Sequence, residues 1–472
     1  MHPTCRWGSC RWGRRFRLPA LAFFLFAFTL SAEPADWIWS GRYVITMDGP
    51  RRVIENGAVA VSGERIVGVG PKAEVDARFQ PKQRLDRPDA ILAPGLINTH
   101  THAAMSLFRG LADDLKLQDW LNRFIFPAEA KNVSAEFVRW GTRLGVLEML
   151  LGGTTTFTDM YYFEDVVAEV AKEGGMRGVL GETIIGFPVA DAKTPADSLR
   201  FTESYLRRFR NDPLIVPAVA PHAIYTNSDE TLRAARALAN KYSVPLIIHI
   251  SETKKENDDE LAKRHMTPVK ALDGLGVFNG RTVAAHCVWV NDADMAVLKS
   301  RSVGVAHCPS SNMKLASGVA PVLIMRAMGI GVGLGSDSSA GCNIEVNMFE
   351  EADLAAKLQK VTTLDPQALP ASAALEMATI AGARALGLEK EIGSLEIGKH
   401  ADMIFVRLDR PNAVPLYDPV SQMVYALKAE DVRDVMVNGK PVVRDAKILT
   451  LDERAILAKA AEYGMRVKAS LK

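Results

Sequence analysis

Eight short apolar segments alternate with helical stretches in the middle of the chain, between about residues 93 and 388. The segments span residues 91–97, 154–160, 178–183, 214–220, 245–250, 282–285, 304–306 and 331–334. Residues 137–151 and 166–173 carry the apolar spacing of amphipathic helices. Strands that alternate with helices in this way pair in parallel and are joined by right-handed crossovers. About eight of them favour an α/β fold in which the sheet closes into a (β/α)8 TIM barrel, rather than an open sheet.

The two ends of the chain have a different residue pattern. Between residues 36 and 92, short segments rich in β-branched residues are separated by glycine and aspartate, and residues 393–406 and 432–443 look the same. A β domain built from both ends must enclose the barrel as an insertion. We therefore expect its first part at residues 36–93, the barrel at 94–388, and its second part, with a C-terminal helix, at 389–472.

The first 32 residues follow the order of a secretory signal peptide. Five arginines and no acidic residue precede residue 33, an apolar run spans residues 18–30, and Ser31-Ala32 follows. We expect this leader to be removed and the protein to be exported, to the periplasm or the medium, without stable membrane contact afterwards. Two alternatives stay open: an uncleaved membrane anchor, and a start codon placed too early, which would leave the protein in the cytoplasm.

Charge and cysteine content narrow the classes of function. The 472-residue chain has 57 basic and 55 acidic residues, and removing the five leader arginines leaves 52 against 55. This balance gives no basic surface for nucleic acid, so we expect a small-molecule substrate. Outside the leader only Cys287, Cys308 and Cys342 remain, which argues against a disulfide framework and against a structural zinc site. A homo-oligomer is compatible with the sequence.

Polar residues collect where the predicted barrel strands end. They are His100, His102, His222, His249, His286, His307 and Asp337. A single histidine after an apolar strand can be an ordinary core residue, but each buried polar group needs a partner. One shared metal ion satisfies several of them together, at the end of a barrel where ligands bind.

His100, His102, His249 and Asp337 form a set of three imidazoles and one carboxylate. Strand side chains alternate, so His100 and His102 point to the same face. This donor set suits one zinc ion with an open position for water, while iron(II) and manganese fit the same ligand types.

Glu252 lies three residues beyond His249. From a strand end its carboxylate can reach over a metal-activated water and shuttle a proton. The alternative is a solvated loop acid beside Lys254 and Lys255.

The pattern resembles the amidohydrolase superfamily, in its branch of methylthioadenosine/S-adenosylhomocysteine deaminases and related chlorohydrolase-like aminohydrolases. The resemblance extends from about residue 36 to the end. It is carried by residues 94–102, which include Asn98-Thr99-His100-Thr101-His102, and by residues 105–114, 285–287, 307–315, and 335–337 with 347–351.

This resemblance implies a (β/α)8 barrel with a β-sandwich, one divalent metal ion, and hydrolytic removal of an amino group from an aminopurine such as adenosine, methylthioadenosine or S-adenosylhomocysteine. It assigns the metal to the ligand set above. Glu252 would pass a proton to the leaving amine, His286 would polarise the attacked centre or steady the water, and Asp337 would take the proton of the attacking water.

The resemblance also implies substrate contacts. Glu129 would hold the ribose hydroxyls and His222 would contact the substrate, while Trp120 would form an apolar wall or be an ordinary buried aromatic residue. One position departs from the pattern, because Glu182 stands near a strand end where the deaminases carry an arginine. An acid there would disfavour a substrate carboxylate.

Three rival functions stay open. A chlorohydrolase or a cyclic-amide hydrolase could use the same site, and so could a protein of another class, a purine-binding barrel without catalysis. Cys308 beside His307 is a weaker candidate nucleophile.

Overall fold

The fold is described here from a computed structural model, which covers residues 32–471 together with Gly8 and Gly13. The expected signal peptide at residues 1–32 therefore lies almost wholly outside the described residues. Within the described part of the chain, no helix has both the length and the apolar character that a membrane crossing requires.

Sixteen strands are described, and they form two sheets of eight. The chain starts with β1 (Glu33–Ile45), β2 (Val53–Ser62), β3 (Arg65–Pro71) and β4 (Phe79–Pro94). The barrel strands are β5 (Leu96–Thr101), β6 (Thr154–Tyr161), β7 (Arg177–Ile184), β8 (Ile215–Pro221), β9 (Leu246–Ile250), β10 (Thr282–His286), β11 (Gly304–His307) and β12 (Val332–Leu334). The last four are β13 (Met403–Arg407), β14 (Val432–Val437), β15 (Lys440–Arg444) and β16 (Lys447–Ile448).

Helices cover the barrel and close the chain. In order they are α1 (Lys72–Arg78), α2 (Leu117–Trp120), α3 (Phe126–Asn132), α4 (Ala135–Leu151), α5 (Glu164–Gly174), α6 (Pro195–Phe209), α7 (Asp229–Tyr242), α8 (Lys254–Arg264), α9 (Pro268–Gly274), α10 (Asp292–Ser300), α11 (Pro309–Lys314), α12 (Val322–Ala327), α13 (Met348–Thr363), α14 (Ala371–Met377), α15 (Ile380–Leu386), α16 (Pro419–Tyr425) and α17 (Glu453–Ser470). A π-helical turn, Leu121–Ile125, joins α2 to α3.

The barrel confirms the predicted fold class. Its strands are hydrogen-bonded in chain order from β5 to β12, and every neighbouring pair is parallel. It closes where the Asp337 N–H, three residues after β12, donates to the His100 carbonyl in β5 at 2.9 Å. All eight predicted strands are present, and the two predicted helices are α4 and α5. Several helices begin after a short polar capping residue. One is Ser134 before α4, whose side chain accepts a hydrogen bond from the Phe137 N–H.

The other sheet draws its strands from both chain ends. Its order is β16-β15-β14-β13-β4-β1-β2-β3, so β4 and β13, far apart in sequence, lie side by side. Trp39 of β1 and Phe405 of β13 stack in its core, with ring centroids 5.0 Å apart. A buried ion pair ties this sheet to the barrel: Arg177 at the start of β7 donates to Asp402 at 2.9 Å, and both side chains are buried.

The structure corrects two details of the sequence prediction. Residues 91–97 do not form one strand, because residues up to Pro94 belong to β4 in the outer sheet and Leu96 begins β5 in the barrel. Gly95 lies between them, and its N–H donates to Asp402 O at 2.9 Å. Residues 393–402 have the composition of strands but form turns and loop, and β13 starts only at Met403.

Gly95 is tightly enclosed at this crossing between the sheets. A Cβ atom there would lie 2.1 Å from Thr155 Oγ1 and 2.7 Å from Thr155 Cβ, which is too close for the buried Thr155 to yield. We expect Gly95→Ala to lower the free energy of unfolding by roughly 1–3 kcal/mol, as overpacking does in other cores. The midpoint of urea unfolding measures this effect.

The matched control is Gly274→Ala, at the end of α9, where an added Cβ meets nothing within 4 Å. This substitution should leave the midpoint unchanged or raise it, because alanine favours helix over glycine. Equal midpoints for Gly95→Ala and Gly274→Ala would show that the crossing is not tightly packed.

Candidate active site

The ends of the barrel strands open into one cavity of about 580 Å³. The cavity is lined by most of the residues that the sequence singled out. These are His102, Trp120, Glu129, His222, His249, Glu252, His286 and Asp337. His100 lies directly behind them and is fully buried. The structure therefore brings together all the predicted ligand, catalytic and substrate-contacting residues.

Four histidines and one aspartate meet at the base of this cavity. Potential ligand atoms lie within 4.8 Å of one another in two overlapping groups, His100 with His249 and His286, and His100 with His102 and Asp337. Asp337 Oδ1 is 3.5 Å from His100 Nε2 and 3.3 Å from His102 Nε2. The cluster thus contains the predicted set of three imidazoles and a carboxylate, with His286 beside it.

Hydrogen bonds from Nδ1 orient three of these imidazoles. His102 Nδ1 donates to Met160 O at 2.6 Å, His249 Nδ1 to His222 O at 2.8 Å, and His286 Nδ1 to Asn312 Oδ1 at 3.0 Å. Nε2 of each ring is then the remaining potential ligand atom, which is the arrangement of a metal-ligating histidine. His100 is fully buried and neither of its nitrogens has a hydrogen-bond partner among residues 32–471. The donor set fits a divalent cation.

Asp337 is held rigidly. Ser311 Oγ donates to its Oδ2 at 2.6 Å, and Ser338 N–H donates to its Oδ1 at 2.8 Å. Its backbone is left-handed, with φ +61°, and so are those of Ser251 and His286, with φ +51° and +72°. Strained backbone of this kind persists where the surrounding structure enforces it, often at functional sites.

The electrostatics of the cluster also favour a cation. Burial lowers the pKa of His100 to about 4 and that of His222 to about 3, so both rings are neutral. Burial opposes ionisation of Asp337, but its contacts with His100 and His102 outweigh this and hold the Asp337 pKa well below its usual value. Burial also acts against a charge on His102, yet Asp337 raises the His102 pKa to about 9. A metal ion would compete with that proton.

Glu252 is buried at the cavity wall rather than solvated. Its side chain is 5% exposed, and its Oε2 lies 4.0 Å from His286 Nε2. Burial raises its pKa. The loop that carries it is fixed by Glu256, whose two carboxylate oxygens each accept a backbone N–H at 2.9 Å, from Ser251 and from Glu252.

Glu129 lines the same cavity as His102, His249 and His286. It is buried, its Oε1 accepts from Tyr161 Oη at 2.6 Å, and burial raises its pKa to about 7. Trp120 satisfies both readings of the sequence, because it lines the cavity and is also buried, with Nε1 donating to Ala340 O at 2.8 Å.

The expectation that Glu182 acts on a substrate carboxylate is wrong. The side chain does not line the cavity, where Thr183 takes its place, because neighbouring residues on a strand face opposite ways. Glu182 Oε2 accepts the Glu164 N–H at the start of α5 at 2.9 Å. Within residues 32–471, Glu182 Oε1 and the facing Asp191 Oδ1 have no N–H or hydroxyl donor. Burial and Asp191 raise the Glu182 pKa well above 4.5, which favours a protonated Glu182.

Sequence reasoning missed the residues that hold the site in place. Asp159 accepts the Ala103 N–H at 2.6 Å beneath His102, Asn312 orients His286, and Glu256 fixes the Glu252 loop. Asp159 lies near the end of a predicted strand, and that position was its signal. Asn312 lies within residues 307–315, which carry the family resemblance, but in α11 rather than at a strand end. His307 is buried beside His286 but belongs to neither ligand group.

Comparison with known proteins places the chain among close relatives. The profile of the Amidohydrolase family matches residues 91–442. A protein of Syntrophus aciditrophicus named 5-methylthioadenosine/S-adenosylhomocysteine deaminase 1 is 43% identical over 440 residues, covering 93% of this chain and 99% of that protein. A protein of Syntrophobacter fumaroxidans with the same name, without the number, is 44% identical over 439 residues, covering 93% and 100%.

Two solved structures are similar over nearly the whole chain. An adenosine deaminase from Xanthomonas campestris with bound zinc has a TM-score of 0.91 and 40% identity, covering 93% of this chain and 100% of that one. A triazine hydrolase from Arthrobacter aurescens has a TM-score of 0.83 and 25% identity, covering 91% and 99%.

The raised pKa of Glu182 predicts that the free energy of unfolding depends on pH. Since the folded-state pKa is raised, the folded protein keeps a proton that the unfolded chain releases above about pH 4.5. The stability contributed by this proton is therefore complete below pH 4.5 and is lost as the pH rises. Glu182→Gln keeps an acceptor for Glu164 N–H and a donor for Asp191 without titrating. It should raise the melting temperature more at pH 8 than at pH 5.

Glu182→Leu is the contrasting variant. It leaves the Glu164 N–H and Asp191 Oδ1 without partners, while Asp191 Oδ2 still accepts the Phe163 N–H. It should cost roughly 1–3 kcal/mol at either pH, the usual penalty for an unsatisfied buried group. If Glu182→Gln lowered the melting temperature at pH 8 as much as Glu182→Leu, Glu182 would be ionised in the folded protein.

Proposed function

The chain belongs to the amidohydrolase family and is a hydrolytic deaminase, a hydrolase of carbon–nitrogen bonds other than peptide bonds, and we propose that its substrate is an adenosine-like nucleoside. The observation that carries the proposal is that one cavity is lined by two kinds of group. They are His102, His249 and Asp337 of the histidine and aspartate cluster, and the buried carboxyl of Glu129.

We propose that the three imidazoles and Asp337 hold one divalent ion, with zinc as the first choice. The zinc in the Xanthomonas campestris structure and the imidazoles of His102 and His249, each oriented through Nδ1, support that choice, while iron(II) or manganese would suit the same ligand types. When bound, such an ion lowers the pKa of water and so supplies a nucleophile near neutral pH.

The side chains around the ion divide the proton transfers between them. Asp337, anionic and in contact with the ligand cluster, takes a proton from the attacking water. Glu252, whose pKa is raised by burial, gives its proton to the ring nitrogen as the carbon–oxygen bond forms. The proton held by Asp337 then passes to the amino group, the carbon–nitrogen bond breaks and ammonia leaves, while the remaining hydroxyl proton of the former water returns to Glu252. His286 Nε2, 4.0 Å from both carboxylates, is placed to hold the incoming oxygen.

Glu129 supplies the argument for a nucleoside. A carboxylate can accept hydrogen bonds from both hydroxyls of a ribose diol. Tyr161 Oη donates to Glu129 Oε1 and so orients the carboxyl, which lines the cavity where a substrate would lie. Trp120 and His222 complete the wall, one as an apolar surface and the other as a polar contact. A triazine or a simple cyclic amide has no diol for this carboxylate to bind.

We also propose that the protein is exported. The support is the leader composition of residues 1–32. Expression of the full chain in a bacterial host, followed by fractionation and N-terminal sequencing, should give a periplasmic protein that begins near residue 33. A cytoplasmic protein that retains Met1 would contradict export.

The central test separates metal binding from proton transfer. Glu252→Gln keeps all the ligands and should retain the metal, but should lose about 10²–10⁴-fold in kcat, which is the usual contribution of a general acid–base group. Asp337→Ala should lose both metal and activity. Metal content is measured by elemental analysis and activity by ammonia release from adenosine.

The control is Asp259→Asn on α8, a carboxylate with 62% exposure that is paired only with Lys255 on the surface. This variant should behave as the parent protein. Chloride release from a chlorotriazine without ammonia release from adenosine would favour a chlorohydrolase. Purine binding without turnover by the metal-loaded parent protein would show a binding protein.

A further inference from the structure

The carbonyl that orients His102 lies between two residues that one buried carboxyl contacts, that of Glu164. Met160 O accepts from His102 Nδ1 at 2.6 Å. Glu164, the first residue of α5, is fully buried, and its Oε1 accepts the Tyr161 N–H at 2.9 Å, on one side of Met160. Its carboxyl also faces that of Asp159, on the other side. Glu164 therefore contacts both neighbours of the residue that orients a predicted metal ligand.

Asp159 carries this contact to the turn that follows β5. Its Oδ1 accepts the Ala103 N–H at 2.6 Å and the hydroxyl of Thr101, so it is bonded to the residues on either side of His102. Asp159 is itself fully buried. A carboxylate that accepts from both neighbours of His102 fixes the backbone from which that imidazole projects. The position of His102 therefore depends on that of Asp159.

The two facing carboxyls have one unpaired oxygen each. Among residues 32–471, no N–H or hydroxyl group donates to Asp159 Oδ2 or to Glu164 Oε2, and both atoms are buried. Two ionised carboxylates are disfavoured in such a setting, because like charges repel and burial opposes each charge. Burial, and after it the nearby Asp159, raises the pKa of Glu164 well above its usual value. A proton on Glu164 would give each of the two unpaired oxygens a partner.

A second pair of carboxyls holds the backbone of Glu164. The Glu164 N–H donates to Glu182 Oε2 at 2.9 Å, and Glu182 faces Asp191, whose Oδ2 accepts the Phe163 N–H at 2.7 Å. Phe163 has a left-handed backbone, with φ +55°, where β6 turns into α5. Glu182 is thus a buried carboxyl of the same kind at the start of α5, but it reaches Glu164 through the backbone N–H alone. This difference makes Glu182 a suitable comparison.

We propose that Glu164 is a positioning residue for the metal site: its protonated Oε2 donates to Asp159 Oδ2 and thereby holds the turn that presents His102. The inference rests on the metal site of the proposed function. It gives a role to a residue that does not line the active-site cavity. Loss of a partner that orients a metal ligand typically lowers metal affinity about 10–100-fold.

The test compares two substitutions of Glu164. Glu164→Gln keeps an acceptor for the Tyr161 N–H and supplies an N–H donor for Asp159 Oδ2, so its zinc dissociation constant should stay within about threefold of the parent value. Glu164→Leu removes the acceptor and the donor and should raise the dissociation constant about 10–100-fold. Competition with a chelator of known zinc affinity measures these constants.

Glu182→Leu is the matched control, because it also removes a buried carboxyl at the start of α5 but leaves the contact between Glu164 and Asp159. Its zinc dissociation constant should stay within about threefold of the parent value, although its melting temperature falls. Equal rises in Glu164→Leu and Glu182→Leu would overturn the proposal. So would a rise of about tenfold or more in Glu164→Gln, which also decides the question if Glu164→Leu does not fold.

Amide hydrogen exchange in the metal-free protein tests the turn without zinc. The peptide that contains Ala103 should exchange about tenfold faster in Glu164→Leu than in the parent, and at the parent rate in Glu164→Gln and Glu182→Leu. Equal rates in all four proteins would overturn the proposal. A parent protein that binds no zinc would instead overturn the proposed metal site, and the exchange rates would still decide whether Glu164 holds the turn.

Discussion

The hydrogen bond from Asp337 N–H to the His100 carbonyl, 2.9 Å long, joins the last strand of the barrel to the first. The same two residues place a carboxylate and an imidazole 3.5 Å apart at the base of the cavity. Closure of the barrel and assembly of the ligand cluster are therefore one event. The remaining ligands reach the cluster because β9 and β10 end at the same rim as β5 and β12.

A cavity with this many buried polar groups requires a second set of polar residues to hold it. Carbonyl oxygens of Met160 and His222 fix two imidazoles, and Ser311 fixes the carboxylate. Behind them lie carboxyls that do not face substrate, among them the Glu182 and Asp191 pair at the start of α5. These groups orient the reacting ones without touching the ligand, so they determine the precision of the site rather than its chemistry.

Much of the barrel and the membership of the cluster could be predicted, because the barrel strands are short apolar runs and six of the eight carry or precede a histidine or aspartate at their ends. The prediction of a single strand failed at residues 91–97. There an unbroken apolar run crosses from one sheet to the other at Gly95. Both sheets bury their strands, so composition does not change at the crossing. The prediction for Glu182 failed because nothing in a strand's sequence tells which of two alternate residues faces the cavity. The signal peptide and the role of each site residue stay predictions.

The sequence by itself determined the class of fold, the family and the residue types that can bind a metal ion. Local patterns carry this information, since strand and helix periods and polar strand ends are properties of neighbouring residues. Only the tertiary structure decided that Glu129 lines the same cavity as His102, His249 and Asp337, and that Thr183 rather than Glu182 faces that cavity. Those facts depend on loops from different strands meeting in space, and the spacing of residues along one chain does not encode such distances.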